Sequence, residues 1–283
     1  MVKLALVVSV AGGLLCACSG DPLDDDEHIA GWANSASALG VYTNGYEPLA
    51  VAHGDLTFID PACPAVSQTG VSQSVDKVTI AGDGCVNSEG DQFFGSATVL
   101  RTPVTWDLAM DEYGHARDGA PVARVSGTFY VAELDIDRYS FEVDIASRGG
   151  LDMDIQYTGR IEGTHAGPTV WEGTGTVTRD GPAINSGTVS AFTRSQLRDN
   201  DICPGQSISG STLLASENHD VEIKYDGAMD CDDDNSARWL RNGEDQGTIK
   251  GVTCSSGDGT SGWLGSLVVL MAVLLRPRRS THG

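Results

Sequence analysis

Apolar and polar residues alternate with a period of two along most of this chain. Tyr139, Phe141, Val143 and Ile145 interleave with Ser140, Glu142 and Asp144, and Leu151, Met153, Ile155 and Tyr157 interleave with Asp152, Asp154 and Gln156. Successive side chains of a strand point to opposite faces, so such segments read as half-buried strands with a polar outer face. Val104, Trp106, Leu108 and Met110 repeat the pattern, as do Val221, Ile223 and Tyr225. Turn dipeptides punctuate these runs at Asn44-Gly45, Asp83-Gly84, Asp118-Gly119, Asp180-Gly181, Asp226-Gly227 and Asn242-Gly243. No sustained helical period is read outside the two ends of the chain. The expected fold is therefore all-β, an antiparallel meander or sandwich, with short apolar helices only at the termini.

Parity fixes one hairpin more closely. Both apolar sets around Gly149-Gly150 are odd-numbered, so facing residues must sum to an even number, which a two-residue turn cannot give. A three-residue loop from Arg148 to Gly150 satisfies this. It pairs Ile145 with Met153, Val143 with Ile155 and Phe141 with Tyr157, and gives Gly150 the left-handed conformation.

The two ends depart from the pattern. Lys3 precedes an apolar run from Leu4 to Leu15, and then come Cys16, Ala17 and Cys18. A positive charge, a short apolar core and small residues form an export signal. Residues 18–45 follow as an acidic stretch with Asp21, Asp24, Asp25, Asp26 and Glu27, whose like charges predict an extended, solvated tether up to about Ala30. At the far end, Trp263 to Leu275 would make a helix of about 20 Å, short of a hydrocarbon core of about 30 Å, and Arg276, Arg278 and Arg279 lie beyond it. The positive-inside rule keeps those arginines cytoplasmic and puts everything upstream outside.

Composition narrows the function classes. The formal net charge is -21, and the four basic residues Lys3, Arg276, Arg278 and Arg279 all lie in the terminal segments, so the central body is strongly acidic. A body this negative repels nucleic acid. The seven cysteines divide between the ends (Cys16, Cys18, Cys254) and the body (Cys63, Cys85, Cys203, Cys231). Four body cysteines in an exported protein allow three pairings. Internal similarity favours one of them: Cys63-Pro64, Val78-Thr-Ile80 and Asp83-Gly84-Cys85 recur in order as Cys203-Pro204, Val221-Glu-Ile223, Asp226-Gly227 and Cys231. The duplicated units, near 61–100 and 201–252, then close as Cys63–Cys85 and Cys203–Cys231, with Cys231–Cys254 as the rival pairing.

Leu15-Cys16-Ala17-Cys18 resembles the bacterial lipobox, which implies a lipid on Cys18 as the mature N-terminus after removal of residues 1–17; ordinary cleavage near Ala17 or Ser19 is the competing reading. Cys254-Ser-Ser-Gly, a Gly/Ser spacer, a short apolar helix and an Arg cluster resemble the myxobacterial C-terminal sorting tail, MYXO-CTERM. That resemblance implies that residues 255–283 are cut off, that Cys254 carries an anchor, and that the protein is displayed at the outer membrane or cell surface. A retained short anchor is the alternative. The body, 46–254, is similar to uncharacterised bacterial lipoproteins with Cys-Pro and Asp-Gly units, a resemblance that carries no activity.

Catalytic motifs are not found: there is no Gly-x-Ser-x-Gly, His-Glu-x-x-His, Cys-x-x-Cys or phosphate-binding glycine loop. His53, His115, His165 and His219 fall in expected turns and read as solvated. Asp230, Asp232 and Asp234 open like a calcium loop, but Asn235 replaces the glycine and Arg241 stands where the bidentate glutamate belongs, so they are weak metal candidates and no cofactor is expected. Asp152 and Asp154 share a strand face, and Trp106, Trp171 and Trp239 read as core. The expected function is a non-enzymatic surface lipoprotein held to the membrane by its lipid and tail, serving envelope structure, adhesion or binding of a protein or glycan. The alternative is a carrier of lipid or hydrophobic ligands on a half-barrel with an apolar concave face.

Overall fold

A computed structural model describes residues 20–37, 62–72, 75–88, 90–116, 124–149, 152–163, 168–181, 186–199, 207–225 and 236–252. One helix, α1 (Asp26–Ala36), is followed by thirteen strands: β1 (Ala65–Ser72), β2 (Val75–Ala81), β3 (Gln92–Arg101), β4 (Thr105–Ala116), β5 (Arg124–Asp135), β6 (Arg138–Arg148), β7 (Asp152–Gly163), β8 (Thr169–Asp180), β9 (Gly187–Arg198), β10 (Ser207–Ala215), β11 (Asp220–Lys224), β12 (Ala237–Arg241) and β13 (Glu244–Ile249). They form a single antiparallel sheet in strict chain order from β1 to β13. The all-β expectation holds, and the meander is its form. Among the described residues no helix is long and apolar enough to cross a membrane.

Alternation places one face of the sheet inward. On β6 and β7, Phe141, Val143, Ile145, Met153, Ile155 and Tyr157 are buried, as their spacing requires, while Glu142, Asp144 and Gln156 face out. Leu108, Met110, Val221, Ile223 and Tyr225 are buried likewise. Trp171 and Trp239 lie in the core, whereas Trp106 is half-buried beneath the guanidinium of Arg101. The buried apolar residues from β2 to β13 form one continuous cluster with those of α1.

The β6–β7 hairpin has the expected parity but a different register. Ile145 faces Ile155, Val143 faces Tyr157 and Ser147 faces Met153, so the strands stop at Arg148 and Asp152, and the loop begins at Gly149. The shift follows from the side chains at the strand ends. Gly149 takes φ 98° and donates its N–H to Asp152 Oδ1 at 3.2 Å, while Arg148 donates to the Ser147 and Met153 carbonyls and pairs with Asp154. These bonds keep Arg148 in the strand. Gly149 takes a left-handed position; Gly150, for which one was predicted, and Leu151 lie outside the described residues.

The acidic tether is corrected: Asp26–Ala36, within the 18–45 stretch, form α1. Asp25 caps the helix, accepting from Glu27 N–H at 3.0 Å, and Asp26 and Glu27 sit in the first turn, where carboxylates favour the helix dipole. Ile29, Trp32, Ala33 and Ala36, at helical spacing, are fully buried, and the helix packs on β8, β9 and β10. Apolar burial on one side of the segment outweighs the like-charge repulsion on the other.

Each of the two segments read as repeats contains a hairpin of the meander. Cys63-Pro64 leads into β1 and β2, and the disulfide Cys63–Cys85, Cα atoms 5.8 Å apart, closes the first unit after the Asp83-Gly84 turn. β10 and β11 form the matching hairpin near the other end of the sheet. Cys203, Cys231 and Asp226-Gly227 lie outside the described residues, so the second bridge is not visible. At Asp83-Gly84 and Asn242-Gly243 both residues adopt positive φ, the conformation of a tight two-residue hairpin turn.

Candidate functional site

The inner face is where the two expected functions diverge, because a carrier needs large apolar side chains left uncovered. Its middle is an aromatic row running over four consecutive strands. Phe129 of β5 stacks on Phe141 of β6 with centroids 6.4 Å apart, and Phe141 contacts Tyr157 of β7 at 6.1 Å and Trp171 of β8 at 5.5 Å. Glycines make room for these rings. Phe141 pairs with Gly159, where an added Cβ would sit 2.7 Å from the ring, and Tyr157 lies over Gly173 and Gly175 of β8 at 2.5 and 2.7 Å from theirs. A side chain at any of these glycines would displace an aromatic. Phe129 and Tyr157 are 1% exposed and Phe141 is 2% exposed, so the row is packed and not open.

A buried hydroxyl chain runs beside it. Tyr157 Oη lies 3.1 Å from the Gly173 carbonyl, to which it can donate, and 2.8 Å from Thr193 Oγ1; Thr193 also reaches the Ala36 carbonyl of α1 at 3.5 Å. Thr193 meets Thr212 at 3.3 Å and Thr212 meets the Tyr225 hydroxyl at 3.0 Å. Polar groups enter a core at low cost only when paired, and here β7, β9, β10, the chain after β11 and the end of α1 pair with one another. Burial pushes the Tyr157 phenol up to about 12, and the bonds to Thr193 oppose it. A hydroxyl that resists ionisation and is sealed from solvent serves as a structural donor. Above it, Arg179 of β8 lies beneath the Trp32 ring at 5.1 Å and against Gly31 of α1.

The start of the helix is clasped to the turns at one end of the sheet. Asp21 accepts from the Leu23 N–H at 2.9 Å and from the N–H and side-chain amide of Asn218 at 3.0 and 3.1 Å. Burial pushes its carboxyl up, but hydrogen bonds from Ser216, Leu23 and Asn218 outweigh that and hold it below the usual carboxylate range. Asp24 Oδ1 meets His219 Nε2 at 2.8 Å, and Arg241 pairs with Asp26 at 2.7 Å and donates to the Leu23 carbonyl at 2.9 Å. Asp21, Asp24 and His219 present ligating atoms within 4.8 Å of one another. Their oxygens already accept from protein donors, so the trio works as a latch for the N-terminal segment.

Of the residues singled out in the sequence, Asp152 and Asp154 are engaged in the β6–β7 turn with Gly149 and Arg148 and do not form an acid–base pair. His219 belongs to the clasp and is not a freely solvated side chain; His115 lies in β4. His53, His165, Cys18, Cys254 and the calcium candidates Asp230, Asp232 and Asp234 lie outside the described residues. No protein-family model, curated protein or solved structure matches the chain.

Proposed function

We propose that this is an exported cell-surface lipoprotein whose β-sheet body is a non-enzymatic module for envelope structure, adhesion or partner binding. The observation that carries this reading is the filled inner face: the aromatic row, the paired hydroxyl chain and α1 occupy the space a hydrophobic ligand would need. Binding is then left to the outer face and the turns. On β6 and β7 the outward positions are Ser140, Glu142, Asp144, Gln156, Thr158 and Arg160, the reverse of a membrane barrel, whose outward positions are apolar.

The N-terminal clasp supports a close approach to the bilayer. With lipid on Cys18, three peptide steps, spanning at most about 10 Å, would separate the anchored residue from Asp21, which is held to the β10–β11 turn. That turn would face the membrane, and the opposite ends of the strands would face outward. The test is mass spectrometry of the protein isolated unreduced from its host membranes. A diacylglyceryl mass on Cys18, a C-terminus at Cys254 and a Cys203–Cys231 linked peptide support the proposal. An unmodified Cys18 with residues 255–283 retained would overturn the surface-lipoprotein reading, and uptake of a lipophilic dye with native stoichiometry would replace it with the carrier.

A further inference from the structure

The outer face of β9–β11 carries a feature that none of this uses. Thr193 and Gln196 of β9 both point inward, so Arg194 and Ser195 between them form a bulge, with Ser195 at φ 45°. β10 is irregular at the same level, and its Gly210, at φ 94°, lies so close to the Ser195 carbonyl that a Cβ there would collide with it. Beside these two interlocked irregularities the sheet surface is a shallow, open hollow lined by polar residues, Arg194, Ser211, Glu222 and Lys224 among them, and by the apolar Ile208 and Tyr225. Non-glycine residues keep a left-handed backbone only where the surroundings enforce it, and such positions concentrate at functional sites.

The side chains in the hollow have a charge sign opposite to the rest of the body. Ser211 faces Arg194 on one neighbouring strand and Lys224 on the other, so the three form a row with a hydroxyl between two cations whose backbones are about 10 Å apart. Arg194 is exposed, its guanidinium carbon lies 4.7 Å from the centre of the Phe192 ring, and it forms no ion pair among the described residues. Arg101 over Trp106 and Arg124 over Phe94 are held in the same way, so what distinguishes Arg194 is its place in a row with Ser211 and Lys224. Lys224 is 3.4 Å from Glu222, two residues earlier on the same strand face. Glu222 is the one carboxylate in the hollow, and it competes for the same cation.

We propose that the row Arg194–Ser211–Lys224 is a binding site for an oxyanion, a carboxylate or phosphate group borne by a surface partner. Arg194 supplies a planar pair of N–H donors, Ser211 and Ser209 supply hydroxyls, and Lys224 swings from Glu222 to the incoming group. Phe192, 38% exposed, and its cross-strand neighbour Leu213 give the ligand's apolar part a place to lie. Guanidinium donors on an oxyanion form the stronger class of hydrogen bond, which lets a local site overcome the unfavourable field of an acidic body.

The experiment is arginine modification of the full chain by phenylglyoxal, with each modified arginine quantified by peptide mass spectrometry. Inorganic phosphate or glucuronate is titrated in while sodium chloride holds ionic strength constant. Arg194 is expected to be protected saturably by at least one of the two probes, and the one that protects identifies the group. Arg138, exposed and paired with Glu162 across β6–β7, is the internal reference and should not respond. Lys224→Gln should raise the half-protecting concentration about 5-fold, and Glu222→Gln should lower it about 3-fold by freeing Lys224. Protection of Arg194 that matches Arg138, or that neither substitution moves, would overturn the site. Lipid analysis of Cys18 is independent of this result, so either proposal can fail alone.

Discussion

At the scale of single residues, the most informative is Tyr157, because its ring and its hydroxyl do different things. The ring fills space that Gly173 and Gly175 leave, and the hydroxyl joins β8 to β9. Its phenol titrates near 10 in the unfolded chain and near 12 in the folded one. The folded pKa is the higher, so its contribution to stability is intact below pH 10 and is lost as pH rises from 10 through 12. The loss amounts to about 3 kcal/mol. Urea melts between pH 9 and 12 should show this decline, and Tyr157→Phe should flatten it. At neutral pH the same substitution should cost about 1–2 kcal/mol, since Thr193 keeps a second partner in Thr212. None of this pairing was legible in the sequence. Tyr157 was readable as an inward residue of a strand, but its partners lie on strands whose register depends on the bulges of β9 and β10.

At the scale of elements, α1 decides whether the inner face is closed. Trp32 is fully buried between the helix and Arg179, and Trp32→Ala should destabilise the fold by about 3–5 kcal/mol, read as an earlier midpoint in denaturant. Hydrogen exchange should then rise first in β8, β9 and β10, the strands α1 touches. The strands were readable because alternation is a local signal that survives any partner. The helix was missed, although its signals stand in the sequence: Asp25 as cap, and Ile29, Trp32, Ala33 and Ala36 at steps of three and four. Its run of carboxylates suggested a solvated chain, yet those charges lie at the helix N-terminus, where they stabilise it. The β6–β7 register shows the limit of parity. Parity put odd residues opposite odd ones, but choosing between two loops of equal parity required knowing that Asp152 would bind the Gly149 amide.

At the scale of the whole molecule, the sheet has a covalent clamp at one end and the helix clasp near the other. The Cys63–Cys85 bridge closes a loop of 22 residues, worth about 3 kcal/mol on the chain-entropy model. Reduction should therefore lower stability by about that amount and expose β1 to β3 to protease before β8 to β11. The Cys63–Cys85 pairing was legible from the similarity of the segments around Cys63 and Cys203, and not from any local pattern; Cys203 and Cys231 lie outside the described residues. The charged hollow on β9–β11 was not legible, since Arg194, Ser211 and Lys224 become neighbours only through the pairing of three strands.

The strict chain order of the sheet also sets a timetable. Each strand pairs with the one made just before it, so hairpins can close one after another as the polypeptide is made, with only short loops to draw in. The helix is the exception. It is made first, yet the strands it rests on come more than 130 residues later, so its apolar stripe must wait unburied while eight strands assemble. Pulse-labelled hydrogen exchange during refolding should find amides of β3–β7 protected early and those of α1 protected last, which makes the earliest of the described elements the final one to find its place.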